Sequence, residues 1–160
     1  MTDKKKTTTA QQAKEKIYRY CAYQERSHKE VRDKLYSYGL HSYEVEELIT
    51  HLITEGFVNE ERFAKAFAGG KFRMKGWGRI KIQHALEARG ISSYCIKSGL
   101  KEIPDDDYVD ALQELLDKRM RLADATNIFL KRNKLATYAI QRGFEPELVW
   151  RQVKALLPDK

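Results

Sequence analysis

The chain has 160 residues, 42% hydrophobic and 33% charged, with 30 Lys+Arg against 23 Asp+Glu for a net charge of +7. A chain of this size buries about 70% of its extended surface without disulfides or metal staples, and Cys21 and Cys95 stand apart in helical patterns with no C-x-x-C spacing, as reduced, packed thiols do. No apolar run approaches the ~20 residues of a membrane span, and no hydrophobic segment follows the lysines of MTDKKKTTT, so a cytoplasmic protein without membrane contact is expected.

Residues 1–10 are polar and are expected to form a disordered tail. A helix is predicted from Ala13 to Gln24, and Ser27-His28-Lys29-Glu30 has the form of a capping box that opens the next. That second helix stops at Gly39, and Ser42 is the expected N-cap of a third. The pattern then recurs. A helix runs from Glu60 to about Phe72, another from Arg79 to Gly90, and Ser92 caps a third. The last group begins with a helix over about Tyr108–Arg121, where Asp105-Asp106-Asp107 after Pro104 complements the helix dipole. It continues with a helix ending at Gly143 and a final one that Glu145-Pro146-Glu147 starts with proline in its first turn.

Gly39, Gly90 and Gly143 are spaced by 51 and 53 residues, and their surroundings agree. Eight residues before them stand Val31, Ile82 and Leu135; four before, Leu35, Leu86 and Ala139; one after, Leu40, Ile91 and Phe144. Val45, Ile96 and Val149 follow at six, Ile49, Leu100 and Val153 at ten, and Leu52, Ile103 and Leu156 at thirteen. Steps of three and four make amphipathic helices on both sides of a left-handed glycine cap. Agreement in three copies makes a tandem repeat of about fifty residues. Strand alternation is confined to pieces such as RIKI. The expected fold is all-α: three tandem three-helix repeats over 11–56, 57–104 and 105–160, in an elongated, curved array.

The charge is uneven. Residues 1–60 hold ten bases and ten acids, 61–103 ten and three, and 104–160 ten and ten, so the surplus lies in the second repeat. Between 71 and 89 six bases, Lys71, Arg73, Lys75, Arg79, Lys81 and Arg89, face one acid, Glu87. Such a concentration suits a polyanion or an acidic surface. Within it, Gly76 can end one helix, Gly78 leaves room to start the next, and Trp77 between them is expected to plug the corner.

Catalytic chemistry finds little support. His28, His41, His51 and His84 lie in separate elements without metal-ligand spacing, and no phosphate-binding G-x-x-x-x-G-K-S/T loop occurs. No enzyme, metal or cofactor is therefore expected.

GFVNEERFAKAF (56–67) followed by KGWGRIKIQHALEARGI (75–91) resembles the central signature of the RecX family. ERSHKEVRDKLYSYGL (25–40) and FLKRNKLATYAIQRGFEPELVWRQV (129–153) resemble its first and last segments, while Arg79, Gln83 and Ala85 depart from its usual pattern. The resemblance implies three tandem three-helix repeats and a monomeric, non-enzymatic modulator of the RecA recombinase filament on single-stranded DNA. Such a protein occupies the filament groove and restrains RecA in recombination and repair; the basic patch is then expected to meet either an acidic RecA surface or DNA phosphate, single-stranded or, non-specifically, duplex. The alternative is a stand-alone helix-turn-helix-like DNA-binding protein, against which stands the scarcity of base-reading Asn or Gln on the helix from Arg79.

Overall fold

Thr9 starts the first helix by accepting the Gln12 N–H on its hydroxyl oxygen at 3.2 Å, and a run of good helix formers carries it onward. The computed structural model describes residues 9–122 and 127–159, which form nine helices and, among these residues, no strand. The first three are α1 (Ala10–Tyr23), α2 (His28–Ser37) and α3 (Ser42–Thr54); the next are α4 (Glu60–Lys75), α5 (Arg79–Ala88) and α6 (Ser93–Leu100). The last are α7 (Asp105–Leu122), α8 (Ile128–Gln141) and α9 (Pro146–Leu156). The fold is all-α, three three-helix repeats in tandem. Most of the polar tail expected at 1–10 lies outside the described residues, but Thr9 and Ala10 already belong to the start of α1.

The caps follow local chemistry with two differences from expectation. Ser27 accepts the Glu30 N–H at 3.1 Å, but its hydroxyl also donates to the Glu30 carboxylate, so the reciprocal bond to the Ser27 N–H is not made. α3 is capped one residue early, at His41, whose N–H donates to Glu44 at 3.1 Å. Gly39, Gly90 and Gly143 end their helices with φ of +86°, +74° and +101°. Gly56, which the sequence reading passed over, does the same after α3 at +78°.

The positions shared by the three repeats form the core: all eighteen are buried except Leu100 and Leu156, which are half-buried against it. Each fully buried Leu, Ile or Val contributes on the order of 1.5–3 kcal/mol, so this repeated stripe dominates stability. Two separate cores result. The first gathers Ala13, Ile17, Val31, Leu35, Val45, Ile49 and Leu52 with Phe57 and Val58 from the connection to α4. The second runs without a break through the second and third repeats, from Phe63 and Phe72 through Tyr108 to Phe144 and Val153. Within it α4 and α6 pack closely because Gly99 rides on Ala64, where a Cβ would come within 2.7 Å of the Ala64 carbonyl oxygen.

Candidate nucleic-acid interface

The Gly76-Trp77-Gly78 corner is built as the residue types require. Gly76 takes φ +68° at the end of α4, its N–H donating to Phe72 O at 3.1 Å while that of Trp77 donates to Lys71 O at 3.2 Å. Gly78 caps α5 with no side-chain bond of its own and at an ordinary φ of −80°. Its small size answers to a neighbour in the third repeat. A Cβ there would lie 2.2 Å from the Gly143 carbonyl carbon, and its N–H donates to Arg142 O at 2.8 Å.

Trp77 is half-buried at this corner and meets Phe67 edge to face at 6.4 Å between centroids; Phe67 continues to Phe63 at 5.7 Å. Three of the expected bases gather on this shelf. Lys71 Nζ lies 4.9 Å from the Trp77 ring centre and 5.4 Å from that of Phe67, Lys81 Nζ lies 4.6 Å from Trp77, and the Arg89 guanidinium lies 4.7 Å from Phe67. Among the described residues none of the three pairs with a carboxylate. The ring faces hold them by cation–π attraction while their charge stays available to solvent. Arg73 and Lys75 are exposed at the end of α4; the Arg73 guanidinium folds back over Gly69, while Lys75 O accepts from Arg142 Nη2 at 2.7 Å.

Arg79 stands apart from that group. Its guanidinium bonds Asp105 at 2.6 Å and Glu145 at 3.3 Å and lies 3.9 Å over the Tyr108 ring. Its N–H donates to the Tyr108 hydroxyl at 2.9 Å, and that hydroxyl donates to Glu145. Burial, then the bond to Glu145, pushes the Tyr108 hydroxyl well above the usual phenol range. The charge of Arg79 is spent on joining the second repeat to the third. Sequence reasoning missed this network because Glu145 is 66 residues distant, although two acids at helix starts, Asp105 and Glu145, were a usable signal.

Two further arginines escaped notice. Arg142, which holds the repeat position of Arg89, bonds Lys75 O across the repeats. Arg132 is buried and donates to Leu157 O at 2.8 and 2.5 Å while pairing with Asp159 at 2.8 Å, so it ties down the end of α9. Among the described residues no three His, Cys, Asp or Glu cluster as a metal site would require, and no helix is long and apolar enough to cross a membrane.

Comparison with known proteins places this architecture. Residues 13–52, 59–100 and 105–153 match the profiles described as the first, second and third three-helix domains of RecX. The chain is 29% identical over 137 residues to the regulatory protein RecX of Clostridium tetani, covering 82% of itself and 59% of that relative. To that of Prosthecochloris aestuarii it is 26% identical over 138 residues, covering 86% and 89%. It spans about half the length of several other relatives, such as 48% of that from Oceanobacillus iheyensis. The crystal structure of RecX from Lactobacillus salivarius superposes with a TM-score of 0.83 at 23% identity over 92% of this chain and 96% of that one. With its three repeats each matched in order, and the glycine corner and basic helix inside the second match, the chain belongs to the RecX family.

Proposed function

We propose that this protein is a non-enzymatic regulator that binds the RecA filament on single-stranded DNA and restrains its ATP hydrolysis and strand exchange. Family membership supports the regulatory role, and relatives are named regulatory proteins. The observation that carries the contact is the shelf of Phe67 and Trp77 with Lys71, Lys81 and Arg89 unpaired upon it. Three charges held on aromatic rings are already ordered, so little side-chain entropy is lost when they meet phosphate or an acidic protein surface. Arg73 and Lys75 extend the same charge from α4, whereas Arg79 serves the fold. Several repeats on one chain can touch neighbouring positions of a filament together, and modest contacts then multiply through effective concentration.

The test is a Lys71→Ala/Lys81→Ala/Arg89→Ala variant assayed for inhibition of RecA ATP hydrolysis and strand exchange on single-stranded DNA. Loss of inhibition with an intact helical spectrum is expected. Inhibition equal to that of the parent chain overturns the assignment of these residues.

A further inference from the structure

The first repeat carries no excess of charge, yet it reproduces the arrangement of the second with the partners exchanged. Counted back from the capping glycines Gly39 and Gly90, positions 23 and 1 hold Lys16 and Tyr38 in the first repeat, and Phe67 and Arg89 in the second. Positions 19 and 13 hold Tyr20 and Arg26, then Lys71 and Trp77. All four pairs are in contact: Lys16 lies 5.6 Å from the Tyr38 ring centre, Arg89 4.7 Å from Phe67, Arg26 3.7 Å from Tyr20, and Lys71 4.9 Å from Trp77. Cation and ring have changed places at both pairs while the pairing is kept. The third repeat has Met120 and Arg142 at the first pair and Leu130 at position 13, so it lacks the motif.

Lys34 completes a set of three bases in the first repeat, 5.4 Å from Tyr20 and 5.9 Å from Tyr38. Among the described residues none of Lys16, Arg26 and Lys34 pairs with a carboxylate. Four acids of this repeat are engaged elsewhere: Glu25 with Arg62, Asp33 with Lys29, Glu46 with Arg32, and Glu30 with Ser27. Tyr23, three residues beyond Tyr20 on the same side of α1, is exposed with 82% of its surface in solvent.

We propose that this α1–α2 face is a second single-stranded nucleic-acid contact, resting on the function proposed above and equivalent by repeat symmetry to the Phe67–Trp77 shelf. Lys16 and Lys34 meet phosphate, while the outer face of the Arg26 guanidinium and the open ring of Tyr23 stack on bases. Flat stacking surfaces beside unpaired charges favour a nucleic acid over an acidic protein, which would use the charges alone.

The test is fluorescence anisotropy of a labelled oligothymidylate across a salt series, with polyglutamate titrated in parallel. Lys16→Ala/Lys34→Ala is expected to lower the salt slope by about 1.4, at about 0.7 per lost phosphate contact. Lys29→Ala, whose charge is paired with Asp33, leaves it unchanged. Tyr23→Ala, too exposed to endanger folding, keeps the slope and weakens oligothymidylate binding about fivefold or more, with polyglutamate binding unaltered. A parental slope in the double lysine variant, or parental affinity in Tyr23→Ala, overturns the proposal. Equal losses toward polyglutamate and oligothymidylate assign the face to an acidic protein and overturn it too. Lys71→Ala/Lys81→Ala separates the two readings: if it lowers the slope while the first-repeat variants do not, the second-repeat contact stands alone.

Discussion

Gly78 and Gly143 meet backbone to backbone, leaving no space for a side chain on either: a Cβ on Gly78 would sit 2.2 Å from the Gly143 carbonyl carbon, and one on Gly143 2.4 Å from Lys81 Cβ. This contact lets the start of α5 nest on the α8–α9 turn and fuses two repeats into one core. Gly78→Ala is expected to cost about 1–3 kcal/mol although its φ of −80° suits alanine, because backbone must move to admit the methyl. Gly70→Ala has the opposite sign: it sits inside α4 with nothing within 4 Å of the new Cβ, and gains about 1 kcal/mol of helix propensity. Urea unfolding of the two variants measures both.

Tyr108→Phe tests the link through Arg79. The substitution keeps the ring, which packs 5.8 Å from Phe72 and 4.9 Å from Phe144, and removes only the hydroxyl. The Arg79 N–H then loses its acceptor and Glu145 a donor, so a loss of about 1–3 kcal/mol is expected. Because Arg79 holds no free charge, the variant's salt dependence of DNA binding should match that of the parent; a changed slope would mean that Arg79 touches phosphate after all.

The repeat was legible because its signals are local and occur three times: a helix stripe, a left-handed glycine, a second stripe. Val31, Ile82 and Leu135 could be aligned and assigned to the core without any knowledge of their neighbours. The site was only half legible, since charge counted by segment ignores which acids fold back onto which bases. Asp105 and Glu145, from the neutral last third, neutralise Arg79 in the basic middle. In the neutral first third, pairing inside the repeat and with Arg62 removes acids and leaves Lys16, Arg26 and Lys34 unpaired. Spacing locates helix faces; partners across repeats decide which charges remain.

Alkaline pH should destabilise the fold through two buried groups. Burial outweighs the nearby Arg26 charge and pushes the Cys21 thiol up to about 11, against an ordinary value of 9.0. Between these values the folded chain holds a proton that the unfolded chain has released, so stability is complete below about pH 9, falls as pH rises, and levels off past about 11. The raised Tyr108 hydroxyl extends the decline from about pH 10 upward. Melting temperatures from pH 8 upward should fall in this order. Cys21→Ala should flatten the first part and Tyr108→Phe the second; a parental profile in Cys21→Ala would remove the thiol from the account.

Cys21 also reports whether the two cores open separately. The first and second cores share no residue, and the junction between them carries polar contacts: Arg62 with Glu25 at 2.5 Å and His28 with Glu60 at 3.4 Å. Half-exposed pairs of this kind are worth on the order of 1 kcal/mol or less, too little to bind two packed hydrophobic cores into a single cooperative unit. Leu52→Ala, in the first core, should cost about 2–5 kcal/mol and speed labelling of the buried Cys21 by about thirtyfold or more. Leu112→Ala, equally buried in the second core, should leave that rate within about twofold of the parent, although its cost to its own core is similar. Equal acceleration by both substitutions would mean that the polar junction transmits unfolding, and that the repeats open as one body.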